Sequence, residues 1–153
     1  MTREEFIELL DKLKVSYEIE DDRIIVTGGD ADGDIPFGQF WNLSSNVEFR
    51  NKGYVALNNL KKLPQGIVFR NGNDVYLRDL QNLPPGFEFN NKRDVNLGSI
   101  KTIPSDVKFN NGGDVYLPRI LVGGRWFSEW SGHIYEINDG RLLNLMVKKG
   151  LFI

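Results

Sequence analysis

The chain has 153 residues, of which 41% are hydrophobic and 26% are charged, with a formal net charge of −2 and no cysteine. This length suits one soluble domain, and the lack of cysteine excludes disulfides, thiol catalysis and thiolate metal sites. No apolar run reaches the roughly 20 residues that cross a bilayer, so no membrane partner is expected. No basic segment followed by an apolar one opens the sequence, which predicts a cytoplasmic protein.

Charge is distributed unevenly along the chain. Residues 1–42 carry eleven acidic and four basic side chains, a balance of −7. Residues 43–153 carry ten acidic and fifteen basic side chains, a balance of +5. This division is typical of a solvated acidic cap on a mildly basic body, and it also allows the body to attract an acidic partner.

The first predicted element is a helix that begins with a T-x-x-E capping box at Thr2 and Glu5. Its apolar face consists of Phe6, Leu9, Leu10 and Leu13. The next segment, YEIEDDRIIV, predicts a β-hairpin that turns at Asp21–Asp22. We expect helix and hairpin, residues 1–28, to cap the N-terminal end of the repeat that follows.

The stretch GGDADGDIPF holds Asp30, Asp32 and Asp34 at alternate positions, as calcium loops do. An EF-hand loop starting at Asp30 requires Gly in its sixth position and Glu in its twelfth, where this chain has Ile35 and Trp41. An EF-hand is therefore excluded, and an incidental weak cation site is the alternative to a turn. We expect a turn, because DGDIPFGQFWN matches the second half of the repeat described next.

Four consecutive 20-residue segments align without a gap, starting at Leu43, Leu63, Leu83 and Ile103. Position 7 is Phe, position 9 is Asn, position 13 is Val and position 15 is Leu in all four, while positions 1, 5 and 18 are apolar. Each segment contains two short alternating patterns separated by Asn, Gly and Asp, which predicts two strands joined by a turn. Stacked coils would pair these strands in parallel, about 4.8 Å apart, with the repeated apolar side chains inside.

Three finer details follow from the same alignment. The L-P-x-G start predicts a type I turn with Pro second and Gly fourth. The Phe column predicts stacked rings, and the Asn column predicts a ladder of amide hydrogen bonds. Asp74, Asp94 and Asp114 form a column of like charges, which we expect to cap their own turns; a line of bound cations or ligand is the alternative.

The C-terminal residues 123–153 are predicted to close the other end. A helix is expected from Asp139 to Lys149, with Gly150 ending it. Before it lies an aromatic segment that contains Trp126 and Trp130. These side chains either plug the open core of the last coil or form a binding hot spot together with Arg125. The lone His133 is expected to be structural or on the surface.

The predicted fold class is therefore mainly β: a parallel β-solenoid of about five 20-residue coils with an α/β N-terminal cap and a helical C-terminal cap. Residues 1–28, 29–122 and 123–153 are expected to form one folding unit. Residues 43–122 resemble leucine-rich-repeat-like solenoid proteins with a short bacterial repeat in which L-P recurs every 20 residues. The style of LPPGFEFNNKRDVNL is also similar to repeats of uncharacterised phage and bacterial proteins.

The resemblance has one departure. In a leucine-rich repeat, L-x-L is followed three residues later by the Asn of the bend, whereas Val75-x-Leu77 is followed there by Leu80. This difference favours a compact β-solenoid over a horseshoe. The resemblance implies scaffolding or binding rather than chemistry.

The sequence favours a non-enzymatic module that binds a protein partner through outward-facing positions. No catalytic residue, cofactor or metal is predicted. Tyr and Arg contribute much binding energy per side chain, and the candidate contacts are Tyr76, Arg78, Tyr116, Arg119, Arg125, Trp126 and Trp130.

Three other functions are alternatives for this sequence. Nucleic-acid binding would use the basic body with Tyr76 and Tyr116 as stacking platforms, but that charge is modest and interspersed with acids. A small phage-type inhibitor of a host nuclease or defence complex would combine protein and nucleic-acid contacts. A glycan hydrolase would need paired carboxylates, which here follow the turn register instead.

Overall fold

The computed structural model describes residues 1–36, 40–104, 106–117, 121–122 and 125–126. Within these ranges one short helix, α1 (Arg3–Lys12), precedes thirteen short strands. The strands are β1 (Tyr17–Glu20), β2 (Arg23–Val26), β3 (Ile35–Pro36), β4 (Val47–Phe49), β5 (Val55–Ala56), β6 (Val68–Phe69), β7 (Val75–Tyr76), β8 (Glu88–Phe89), β9 (Val95–Asn96), β10 (Lys108–Phe109), β11 (Val115–Tyr116), β12 (Leu121–Val122) and β13 (Arg125–Trp126).

Two mainly parallel sheets form the body of the protein. Sheet A has the order β1-β2-β4-β6-β8-β10, and sheet B has the order β11-β9-β7-β5-β3. From β4 and β5 onwards, each strand pairs with the equivalent strand 20 residues later, as Phe49 does with Phe69 and Val75 with Val95. The described residues therefore form a parallel β-solenoid of about four stacked coils, which confirms the predicted 20-residue repeat, while the fifth coil stays a prediction.

The acidic stretch around Asp32 forms a longer corner between sheets A and B. Ile35 pairs with Val55, 20 residues later, in the predicted register. On sheet A, however, Ile24 pairs with Val47, 23 residues later. The connection from β2 to β3 is therefore three residues longer than the one from β4 to β5, and the extra residues fall in the glycine- and aspartate-rich stretch.

The predicted inward positions form a continuous dry core. The rings of the Phe column stack face to face, with centroids 5.5 Å apart for Phe49–Phe69, 6.0 Å for Phe69–Phe89 and 5.3 Å for Phe89–Phe109. The Val column of sheet B and the leucines that follow it are buried beside them, except for Leu117, which is partly buried. Because each side chain lies on an identical neighbour, the burial of one coil depends on the next.

The buried Asn column differs from the predicted ladder. The Nδ2 of Asn71 donates to three backbone carbonyls, those of Gly53, Asn73 and Asp74, at 3.1, 3.2 and 3.0 Å. The same pattern recurs at Asn51, Asn91 and Asn111. These amides therefore fasten each corner to the coil before it instead of bonding to one another, and they give the buried corner carbonyls a side-chain donor.

The corner before sheet A also differs from the prediction. The N–H of Phe87 donates to the carbonyl of Pro84 at 3.3 Å, so the hydrogen-bonded turn begins at Pro84 rather than at the preceding leucine. Gly86 then occupies the third place with φ +70°, which is the type II arrangement. The predicted type I turn was wrong here because it placed the glycine one position too late.

The predicted helix and hairpin are both present at the N-terminal end of the solenoid. Thr2 and Glu5 form the reciprocal capping box, and Phe6 packs on Phe40 with ring centroids 6.0 Å apart. β1 and β2 are antiparallel around Asp21, whose φ of 55° supplies the tight turn. The guanidinium of Arg3 donates to the carbonyls of Asp21 and Asp22, so the helix braces the hairpin.

At the other end, β12 and β13 pair as an antiparallel hairpin. The predicted C-terminal helix lies outside the described residues. The predicted domain limits at residues 28 and 122 stay predictions.

Two equivalent corner glycines give a test of coil stacking. Gly66 and Gly86 have φ of +78° and +70°, but a Cβ at Gly66 would lie 2.1 Å from Oδ1 of Asn46, whereas at Gly86 the nearest atom is 3.7 Å away. We expect Gly86→Ala to cost about 1 kcal/mol of unfolding free energy through φ alone, and Gly66→Ala about 2–3 kcal/mol. Denaturant unfolding checks this; equal losses would contradict the close contact between coils at Gly66.

Candidate binding face

The predicted contacts that the structure places together lie on the outer side of sheet B. We call this surface the tyrosine face; it consists of Tyr54, Asp74, Tyr76, Arg78, Asp94, Asp114 and Tyr116. Strand alternation puts these side chains outward while Val75 and Leu77 point into the core. Tyr76 and Tyr116 lie two coils apart, with Asn96 between them.

The aspartates of this face join successive coils. Oδ1 of Asp74 accepts the N–H of Asp94 at 3.0 Å, and Oδ1 of Asp94 accepts the N–H of Asp114 at 2.8 Å. Oδ1 of Asp34 accepts the N–H of Tyr54 in the same way, at 2.9 Å. The expectation that these aspartates cap their own turns was wrong for Asp74 and Asp94, since each of these two caps the next coil. This backbone hydrogen bonding offsets the repulsion within the column.

Tyr76 is the most constrained side chain of the face. Its hydroxyl donates to Oδ2 of Asp74 at 2.8 Å, and its ring meets that of Tyr54 edge to face, with centroids 5.8 Å apart. The guanidinium of Arg78 lies 5.7 Å from the ring centroid, within cation–π range. The hydrogen bond to Asp74, helped by partial burial, raises the pKa of Tyr76 to about 12. A pre-ordered aromatic side chain loses little entropy on binding.

Tyr116 is the exposed counterpart of Tyr76, with 43% of its surface accessible. The nearby negative charges, that of Asp94 first, raise the pKa of its hydroxyl. Asp114 and Asp74 act in the same direction. The two tyrosines therefore stand in an acidic field, with Arg78 as a basic neighbour.

The remaining predicted contacts are not assembled by the described structure. Arg119 and Trp130 lie outside the described residues. Arg125 and Trp126 form strand β13, which pairs with Val122 and Leu121, and the structure describes their backbone alone. Whether the tryptophan segment caps the core or binds a partner stays a prediction.

Sequence reasoning missed a charged cluster on the outer side of sheet A. Glu48 is almost completely buried there, and its carboxylate contacts the guanidinium of Arg50 at 2.5 Å, Arg70 at 3.6 Å and Arg23 at 3.8 Å. This pairing raises the pKa of Arg50, with Glu48 as the main cause. The sequence does carry a signal for this cluster. Position 6 of the first coil is acidic (Glu48), and position 8 of the first two coils is basic (Arg50 and Arg70). The arginines balance the charge of the buried Glu48 carboxylate, so we assign this cluster a role in stabilising the fold.

A groove of about 350 Å³ lies at the corner between the second and third coils. Its walls come from two L-P-x-G corners and the start of sheet A, and its lining includes Pro64, Ile67, Arg70, Pro85, Phe87 and Glu88. The recurring prolines predict turns, and the sequence gives no signal for the groove between two such turns.

The acidic corner behaves as a turn. Oδ1 of Asp30 accepts the N–H groups of Asp32 and Asp34 at 2.9 and 3.0 Å. Carboxylate oxygens of the three aspartates also lie within 4.8 Å of one another. Exposed acidic side chains commonly sit this close without a metal, and their backbone hydrogen bonds already account for the geometry.

Comparisons with protein-family models, curated proteins and solved structures gave no match for this chain. In the part of the chain that the structure describes, no helix has the length and apolar character needed to cross a bilayer. The tyrosine face, with ordered aromatic and charged side chains on a regular sheet, is thus the candidate site that geometry and chemistry support best.

The raised pKa of Tyr76 can be tested through its partner. We expect Asp74→Asn to lower the pKa of Tyr76 from about 12 towards the ordinary value for tyrosine, because the charged acceptor is lost. Glu88→Gln, which removes a carboxylate on sheet A, should leave it unchanged. NMR titration of ring-labelled tyrosines, with Tyr76 assigned through Tyr76→Phe, measures both.

The raised pKa of Tyr76 also makes the stability of the fold depend on pH. Since the folded-state pKa is above the unfolded one, Tyr76 contributes stability that is present below pH 10 and is lost as pH rises towards about 12. Tyr76→Phe should therefore lose less stability than the wild type over that interval. An unchanged pKa in Asp74→Asn would contradict the assigned hydrogen bond.

Proposed function

We propose that this protein is a non-enzymatic binding module that presents the tyrosine face to a protein partner. The observation that carries this proposal is the placement of Tyr76, Arg78 and Tyr116 on one side of sheet B, outside a core that depends on other positions. Tyrosine and arginine are the side chains most enriched among residues that dominate binding energy. The inward columns hold the core, which leaves Tyr76, Arg78 and Tyr116 available for recognition.

The charges of the face support a protein rather than a nucleic acid as the partner. Stacking of bases on Tyr76 and Tyr116 would bring phosphates beside Asp74, Asp94 and Asp114, whose charges act on the tyrosine hydroxyls. Nucleic-acid interfaces instead surround their aromatic platforms with a positive groove. A protein surface with basic and apolar groups fits the face better.

The proposal extends to features beyond the described residues. We propose a leucine-rich-repeat-like solenoid of five coils, acting in the cytoplasm and closed by a C-terminal helix. Arg119, Arg125, Trp126 and Trp130 would then continue the contact surface past the last described coil. The repeat supports this extension, since Arg119 is position 17 of the fourth segment, three residues after Tyr116 in the sequence.

Partner capture tests the proposed function. The tagged full-length protein is incubated with a lysate of its source cells, with and without nuclease treatment, and captured proteins are identified by mass spectrometry. We expect Tyr76→Ala/Tyr116→Ala to reduce capture of the main partner by at least about tenfold, because hot-spot truncation commonly costs 2 kcal/mol or more.

The matched control is Glu88→Ala/Lys108→Ala, which truncates two exposed side chains on sheet A that contact each other at 3.4 Å. It should leave capture unchanged. Equal loss in both double variants, full retention in the tyrosine variant, or loss of capture on nuclease treatment would refute the proposal.

A further inference from the structure

The outer edge of sheet A ends in strand β1, which has one strand partner among the described residues. β1 pairs with β2, and no other described strand pairs with it. Glu18, Ile19 and Glu20 are exposed, with Ile19 showing 52% of its surface. At the same end, sheet B finishes in a strand with Pro36, which lacks a backbone donor and so blocks further pairing. β1 has no such block.

The hydrogen-bond register shows which groups of β1 face outward. On the side of β2 that faces β4, the N–H of Ile24 donates to the carbonyl of Asn46 at 3.0 Å. On the same side, the carbonyl of Val26 accepts the N–H of Arg50 at 2.8 Å. In an antiparallel pair, residues whose backbone groups point away from the partner strand lie opposite one another. Ile19 and Tyr17 are the partners of Ile24 and Val26, so their N–H and C=O groups point to the open edge.

The hairpin holds this edge in place before any partner arrives. The hydroxyl of Tyr17 donates to Asp11 of helix α1 at 3.0 Å, and Arg3 of the same helix bonds the carbonyls of the hairpin turn. Because the strand is fixed at both ends, pairing with another strand requires little ordering on this side.

The side chains of β1 indicate which kind of strand could pair with its open edge. Glu18 and Glu20 flank Ile19, which lies on the same side of the sheet as the buried Ile24. A second copy of this chain, antiparallel about Ile19, would set Glu18 against Glu20 twice, and directly opposed like charges destabilise a sheet. An incoming strand with basic residues beside an apolar one would instead pair with both glutamates and cover Ile19.

We infer that β1 is a docking edge for an extended basic segment of another protein, of the form basic–apolar–basic, which adds a strand to sheet A. The backbone of Tyr17 and Ile19 supplies the hydrogen bonds, and the two glutamates supply selectivity. This surface is distinct from the tyrosine face, and it does not depend on the function proposed for that face.

The test uses the full-length protein and a short capped peptide of alternating lysine and valine, with a glutamate–valine peptide as the negative probe. The basic peptide should bind and slow amide hydrogen exchange at Tyr17 and Ile19, and Glu18→Lys/Glu20→Lys should weaken it by at least about tenfold. Glu4→Lys/Glu8→Lys makes the same charge change on helix α1, and it should alter affinity by less than about twofold.

Four results would overturn the inference. These are equal weakening by the two double variants, exchange protection at Tyr76 and Tyr116 instead of Tyr17 and Ile19, absence of binding, and a dimer of the free protein joined through β1 in sedimentation. The exchange measurement on the wild type stands even if a charge-reversed variant folds poorly. Tyr76→Ala/Tyr116→Ala should leave peptide binding intact, so this inference and the proposed function fail separately.

Discussion

In-register stacking of identical side chains is the constraint on which the rest of the structure depends. A 20-residue coil is too short to bury its own apolar residues, and it becomes dry only when the next coil covers it. The register must therefore repeat without error, since a one-residue slip would turn every inward side chain outward. The face-to-face stacking of the Phe column is direct evidence of that register, because neighbouring rings are nearly parallel, with interplanar angles of 12°, 6° and 10°.

Polar groups enforce the same register at the corners. The buried asparagines bind corner carbonyls of their own coil and of the coil before, while the aspartates bind N–H groups of the coil after. Each corner is thus tied in both directions along the solenoid axis. None of these bonds between coils uses the side chains of Tyr76, Arg78 or Tyr116, which is consistent with the recognition role proposed for them.

Much of the fold could be predicted from the sequence because its information is repeated. The same inward position is Phe in all four coils, at Phe49, Phe69, Phe89 and Phe109. The coil length and the inward columns were therefore predicted correctly. The N-terminal helix was also predictable, since Thr2 and Glu5 form a purely local signal. Partners across coils were not predictable. The recurrence of Asn at position 9 shows that Asn71 has a structural role, yet its three carbonyl partners depend on how the corners pack in three dimensions.

The candidate site was predicted only in part for a related reason. Outward placement of Tyr76 and Tyr116 follows from strand alternation alone. The pairing of Tyr76 with Asp74, and the acidic field that results, require the register between neighbouring side chains. The docking edge at β1 requires more still, because it depends on which strand ends sheet A.

Deletion of one coil measures the central claim most directly. Removal of Leu83–Thr102 takes out one complete repeat and would bring Phe69 against Phe109 in the original register. The account predicts a shorter protein that unfolds in one cooperative denaturant transition with a reduced m-value, whereas removal of Leu83–Lys92 alone should abolish that transition. A molten, non-cooperative product from the full-coil deletion, or equal behaviour of the two deletions, would contradict it.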